Sequence, residues 1–91
     1  GTSESAPMWA GIVAIANQIA GHPLGFLNPR LYKLGAANQG DFRDIVSGDN
    51  SVRTQGINVK GYQAVAGWDA ATGWGVPQSY QLVGDLTATT V

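Results

Sequence analysis

Cysteine is absent from this chain, histidine occurs once, and charge is scarce: five basic and six acidic side chains among 91 residues, for a net charge of −1. Without cysteine there is neither a disulfide framework nor a thiolate metal site, and the redox compartment is left undetermined. The basic residues are scattered from Arg30 to Lys60. They make no clustered positive surface of the kind that nucleic acid or anionic lipid requires. No signal peptide or internal repeat is evident, and the longest apolar run, Met8 to Ala20, is far too short at about 1.5 Å per residue to span a bilayer.

What the chain does have is apolar surface. Hydrophobic residues make up 44% of it, a core-rich composition for so short a chain, which leads us to expect the C-terminal piece of something larger. Its opening, GTSESAP, runs straight into MWAGIVAIANQIA. Gly1 permits a tight turn, and Ser3 sits where the free N–H groups and positive end of a helix can hold developing negative charge. Pro7 is expected to fall among the early helix positions that have no intrahelical use for an N–H. The following run is apolar or small around nearly its whole circumference, so the helix is expected to be buried on all sides. Two readings of Ser3 stand at this point: a nucleophile at the mouth of that helix, or simply its N-cap.

Further along, GHPLG reads as a turn, and FLNPRLYKL as a short helix with Asn28 as N-cap and Pro29 first. Residues 35–40 read as a loop and 41–46 as a short extended segment. Ser51 to Gly61 alternates weakly, as a surface loop or irregular hairpin would. The stretch from Tyr62 to Pro77 is dense in glycine and tryptophan without a helical or strand period, which is the habit of a loop whose backbone shape matters. Pro77 is expected to open a final helix from Gln78 to about Leu86, with Tyr80, Leu82, Val83 and Leu86 on one face. Thr87 to Val91 are expected to fray.

Two carboxylates in glycine-flanked irregular segments, Asp44 and Asp69, raise the question of calcium. That ion takes six to eight oxygen ligands at about 2.3–2.6 Å and accepts backbone carbonyls readily, although the segment after Asp44 lacks the pattern of an EF-hand. Equally, both aspartates could cap turns through neighbouring backbone.

Four motifs in order, GTSESAPMWAG, GFLNPRLY, FRDIVSGDN and GWDAATGWG, resemble the sedolisin family, the serine-carboxyl peptidases, from Gly1 to about Leu86. The first motif alone is also similar to the true subtilisins, but there a histidine commonly follows the proline, and the later motifs have no counterpart. The resemblance implies an α/β, subtilisin-like fold, a parallel sheet flanked by helices, of which this chain is the C-terminal portion. Residues 1–20 would carry the nucleophile motif and central helix, 41–76 a calcium-binding region and 77–86 a terminal helix. It implies Ser3 as nucleophile and a structural Ca²⁺ held by the carboxylates of Asp44 and Asp69 and the carbonyls of Ile45, Val65 and Gly67. Many relatives have glycine where Val65 stands, and a small residue where Glu4 follows the serine. The family's glutamate base and aspartate oxyanion partner come from upstream sequence, so the partners implied are a peptide or protein substrate and the N-terminal part of the catalytic domain. An acid-acting endopeptidase or tripeptidyl-peptidase, secreted or in another acidic extracytoplasmic compartment, is the activity implied, with the isolated chain inactive.

Local substitutes for the missing base are poor. His22 lies about 25–30 Å from Ser3 by helical rise and reads as a turn residue, while Glu4 points elsewhere on the helix. Trp9, Trp68 and Trp74 read as packing groups rather than a carbohydrate or peptide platform. Arg30, Lys33 and Arg43 read as solvated side chains or local partners of carboxylates. Two other functional classes stay open: a non-catalytic, calcium-stabilised relative in which Ser3 only caps, and a subtilisin-like Ser-His-Asp hydrolase.

Overall fold

A computed structural model describes residues 1–88. Helix α1 (Thr2–Ala20) starts six residues before its apolar run, because Gly1 takes the N-cap position and Glu4 places an acidic side chain in the first turn, where the helix dipole favours it. Ser3 is therefore inside the helix, and the N-cap reading of it is set aside. The helix stops at Gly21, whose left-handed φ of 80° lets its N–H reach the carbonyls of Asn17 and Gln18, the closure that glycine makes without a Cβ penalty. Asn17 Oδ1 then accepts from Leu24 N–H at 2.9 Å, fixing the exit.

Helix α2 (Asn28–Ala37) carries Pro29 in its first turn and ends at Asn38, again left-handed. Leu27 rather than Asn28 occupies its N-cap, without a side-chain cap bond, so the expected asparagine cap is not made. Nor is 35–40 all loop, since the helix continues through Gly35 and Ala36. Gly35 is needed there because the indole of Trp74 lies directly against its Cα, in the space a Cβ would fill.

Strand β1 (Phe42–Arg43) pairs antiparallel with β4 (Val76–Pro77), Phe42 opposite Pro77 and Arg43 opposite Val76. Strands β2 (Val52–Thr54) and β3 (Ile57–Val59) form a hairpin closed by Gln55 and Gly56. Both turn residues have positive φ, 48° and 79°, the pairing whose twist matches that of the strands. The doubtful stretch from Ser51 to Gly61 is thus a regular hairpin. Helix α3 (Ser79–Ala88) begins two residues after Pro77, which belongs to β4 and does not open the helix. Thr87 and Ala88 are helical; Thr89 to Val91 lie outside the described residues. The segment has α/β composition, but both sheets among the described residues are antiparallel, so it contains none of the expected parallel sheet.

Leu27, Leu82 and Leu86 form the buried core, with Trp9, Val13, Leu24, Leu31, Leu34 and Phe42 packed around them. Tyr80 is 96% exposed, so the inward face of α3 is carried by Leu82 and Leu86 without it. The larger departure concerns α1. Among its described side chains only Ala16 is buried, and Met8, Ile15 and Ile19 are each more than half exposed. A helix apolar all round needs neighbours all round, and α1 packs chiefly against α3. The radius of gyration, 15.4 Å, exceeds the roughly 12 Å of a compact chain this long.

Candidate functional site

Ser3 stands exposed in the first turn of α1. Among the described residues its hydroxyl has no hydrogen-bond partner, in contrast to Ser5, whose Oγ donates to the Gly1 carbonyl at 3.1 Å. Pro7 is the sixth residue of the helix, past the amides that have no partner inside it. The N–H it lacks is the one that would have bonded the Ser3 carbonyl, so proline does cost this helix a bond, contrary to the expectation from sequence. His22 lies beyond the far end of the helix, its Nδ1 donating to the Pro23 carbonyl at 2.9 Å.

The loop residues gather into two linked pairs. Asp44, leaving β1, accepts the Gly67 N–H at 2.6 Å across 23 positions of sequence. Asp69 accepts the Val65 N–H at 3.2 Å, the Ala71 and Thr72 N–H groups at 3.0 and 2.7 Å, and the Thr72 hydroxyl on both oxygens. Asp69 is only 5% exposed. Burial alone would raise its pKa, but the hydrogen bonds from Thr72, Val65 and Ala71 outweigh that and hold the carboxyl below its usual value.

These contacts bear differently on a cation. The carbonyls of Ile45, Val65 and Gly67 accept no hydrogen bond among the described residues, and Asp44 accepts one, leaving oxygen lone pairs free on four of the five candidate ligands. Asp69 does not fit as found, because a carboxylate offers about four lone-pair sites and its own turn already fills them. No cluster of three or more His, Cys, Asp or Glu side chains occurs among the described residues. Carbonyls would therefore have to supply much of any shell.

The aromatic side chains pack as expected for two of the three tryptophans. Trp9 meets Phe42 with ring centroids 6.4 Å apart, and Trp74 meets Tyr32 edge to face at 5.7 Å. Trp68 is about half exposed, at 48%. Arg30 departs from the solvated reading: its Nη1 is buried without a partner among the described residues. Sequence reasoning also missed Asp41, which is 1% exposed, and its neighbour Asp85. A signal was present, since Asp85 falls three residues after Leu82 and one before Leu86, on the inward face of α3.

Similarity to known proteins defines the class. The chain belongs to the sedolisin family, a family of serine peptidases. It is 42% identical over 83 residues to kumamolisin from Bacillus sp. (strain MN-32), a match covering 91% of the chain. It is 37% identical over 87 residues to tripeptidyl-peptidase 1 of Dictyostelium discoideum, and 42% identical over 82 residues, 85% of the chain, to tripeptidyl-peptidase 1 of Homo sapiens. The chain spans about 14% of the length of each of these relatives. No family model matches it. No helix among the described residues is long and apolar enough to cross a membrane.

Proposed function

We propose that this chain is the nucleophile-bearing, C-terminal portion of a serine-carboxyl peptidase catalytic domain, with Ser3 attacking the substrate carbonyl. The observation that carries this reading is the position of Ser3: exposed, free of local hydrogen bonds, and in the first turn of a long helix in a chain of sedolisin sequence. In the reaction, a bond forms between Ser3 Oγ and the scissile carbonyl carbon, and the serine proton passes to a carboxylate base. The proton then goes to the departing amine as the C–N bond breaks, and water releases the acyl group. Base and oxyanion partner are assigned to the rest of the catalytic domain, which would also complete a subtilisin-like parallel sheet against the open faces of α1. A carboxylate base suits action in acid, in a secreted or otherwise extracytoplasmic setting, on peptide or protein substrates. Serine alone retains little catalysis, so the isolated chain is expected to be inactive.

Calcium is proposed as the structural ion of the loops. When bound, it supplies an electrostatic tie between the β1 exit and the Val65–Asp69 segment. Asp44 and the carbonyls of Ile45, Val65 and Gly67 are the ligands best supported by the hydrogen-bond pattern; Asp69 joins only by giving up donors of its turn.

The test is to graft residues 1–86 in place of the matching segment of kumamolisin and measure peptide hydrolysis in acid. Activity that disappears with Ser3→Ala and persists with Ser5→Ala is the expected result. Hydrolysis that survives Ser3→Ala, or hydrolysis by the isolated chain that Ser3→Ala abolishes, overturns the reading in its catalytic or its fragment-inactivity part respectively.

A further inference from the structure

Asp41 is the most deeply buried titratable group among the described residues, and none of the roles above uses it. Its side chain is 1% exposed, and neither carboxyl oxygen meets a hydrogen-bond donor among the described residues. Its main chain is anchored, with the Asp41 carbonyl accepting from Gln78 N–H at 2.8 Å just before α3. The polar group beside its carboxyl is a second carboxyl, that of Asp85 on α3. Asp85 also accepts from Gln81 Nε2 at 3.1 Å. Two carboxylates contain only acceptors, and two acceptors in contact away from water repel each other. A single proton removes the conflict: carried on Asp41, it turns that carboxyl into the donor that Asp85 can accept.

We propose that Asp41 and Asp85 form a proton-binding clasp that ties the entry of β1 to α3 in acid and loosens toward neutral pH. The charged groups around it do not replace the proton. Arg30 and Lys33 of α2 share with Asp85 a cavity of about 250 Å³, and among the described residues neither donates to the Asp41 oxygens. Arg43 and Asp44 follow Asp41 in sequence and are exposed, Asp85 is the one charged residue of α3, and α1 contributes only Glu4, in its first turn.

The titration follows from this geometry. Burial, together with the hydrogen bond and charge of Asp85, pushes Asp41 up to about 6, against a smaller lowering from its own backbone. Asp85 is held below the usual value, first by the hydrogen bond from Asp41 and then by Gln81. In the unfolded chain both groups titrate near about 4. Between that value and about 6, the folded chain keeps a proton that the unfolded chain has lost, so stability falls as pH rises through this window and levels off above it. Below it the unfolded chain binds more protons than the folded one, and the sign reverses. The clasp is strongest near about pH 4.

Thermal unfolding of the chain by circular dichroism, from about pH 3.5 to about pH 8, tests this with Asp41→Asn and Asp85→Asn beside the unaltered chain. The amide at position 41 donates to Asp85 at every pH. The expected result is a melting temperature that falls by about 5 °C or more between about pH 4 and about pH 6.5 in the unaltered chain, and a fall at most half as large in Asp41→Asn. An equal fall in both, or no fall in the unaltered chain, overturns the proposal. So does failure of both amide variants to fold at any pH, since each retains a donor facing an acceptor.

Discussion

Helix α1 and the loop from Val65 to Gly75 solve opposite problems. The helix satisfies most of its backbone internally, save the bond that Pro7 cannot make to the Ser3 carbonyl, and leaves its side chains wanting partners, with Met8, Ile15 and Ile19 facing solvent. The loop has no regular backbone pattern to rely on, yet it gathers several of its own amides: Asp69 accepts from the Val65, Ala71 and Thr72 N–H groups, and Asp69 and Gly73 bond to each other in both directions. A region's dependence on neighbours is thus set by which groups its local structure leaves unpaired. Regular secondary structure can be the more dependent of the two.

That contrast can be broken most severely at Asp69. Asp69→Ala strips the loop of its shared acceptor and should lower the melting temperature by about 10 °C or more, measured by calorimetry at neutral pH. Because the folded pKa of Asp69 is depressed, its contribution is present above the usual carboxylate value and is lost as pH falls through the folded one. The variant should therefore lose less than the unaltered chain on acidification. Asp44→Ala, in the same measurement, should leave the calcium-free melting temperature nearly unchanged and abolish the rise that added calcium produces. A calcium-induced rise that survives Asp44→Ala would remove Asp44 from the ligand set.

A smaller effect is expected at the seam between α2 and the loop. Gly35→Ala places a Cβ into the Trp74 ring and should destabilise by about 1–3 kcal/mol in urea unfolding, through overpacking rather than through helix propensity, which alone favours alanine. A stabilised variant would show that Trp74 can move aside at no cost. The smallest effect belongs to α1. Ile15→Gln combined with Ile19→Gln should change stability by less than about 0.5 kcal/mol, because neither side chain is buried, while reducing self-association in analytical ultracentrifugation. A large loss of stability would mean that these side chains are covered in the isolated chain.

Local chemistry was legible where one residue decides it. Gly21 after the apolar run marked the helix end, and Pro29 marked the start of α2. Asp44 and Asp69 stood out as carboxylates in glycine-rich segments, and the structure finds each bonded to backbone on the far side of a turn or loop. What could not be read was whatever depends on partners distant in sequence. The polar and small residues from Gly35 to Gly40 suggested a loop, whereas a tryptophan 39 positions after Gly35 makes glycine the fitting residue in a helix. Asp41 was legible only as the first residue of a short extended segment, and only the return of α3 with Asp85 on its inward face gives it a partner. The apolar circumference of α1 was read as burial on all sides, and the structure departs from that: among its described side chains only Ala16 is buried, because the described residues do not supply enough surface to cover the rest.

The pairing of β1 with β4 has one further consequence. Arg43 and Val76 are opposite each other, so everything between them is an excursion that leaves and returns at a single point. Gly75 seals that point, packed against the Arg43 carbonyl with no room for a side chain. At the outer end of the excursion sits the β2–β3 hairpin, all six of its strand residues exposed. Added length there lies far along the chain from both ends of the seal, and doubling a flexible loop costs only about 0.6 kcal/mol of closure entropy. The hairpin is accordingly where this architecture can accept insertions without disturbing the strands that close it.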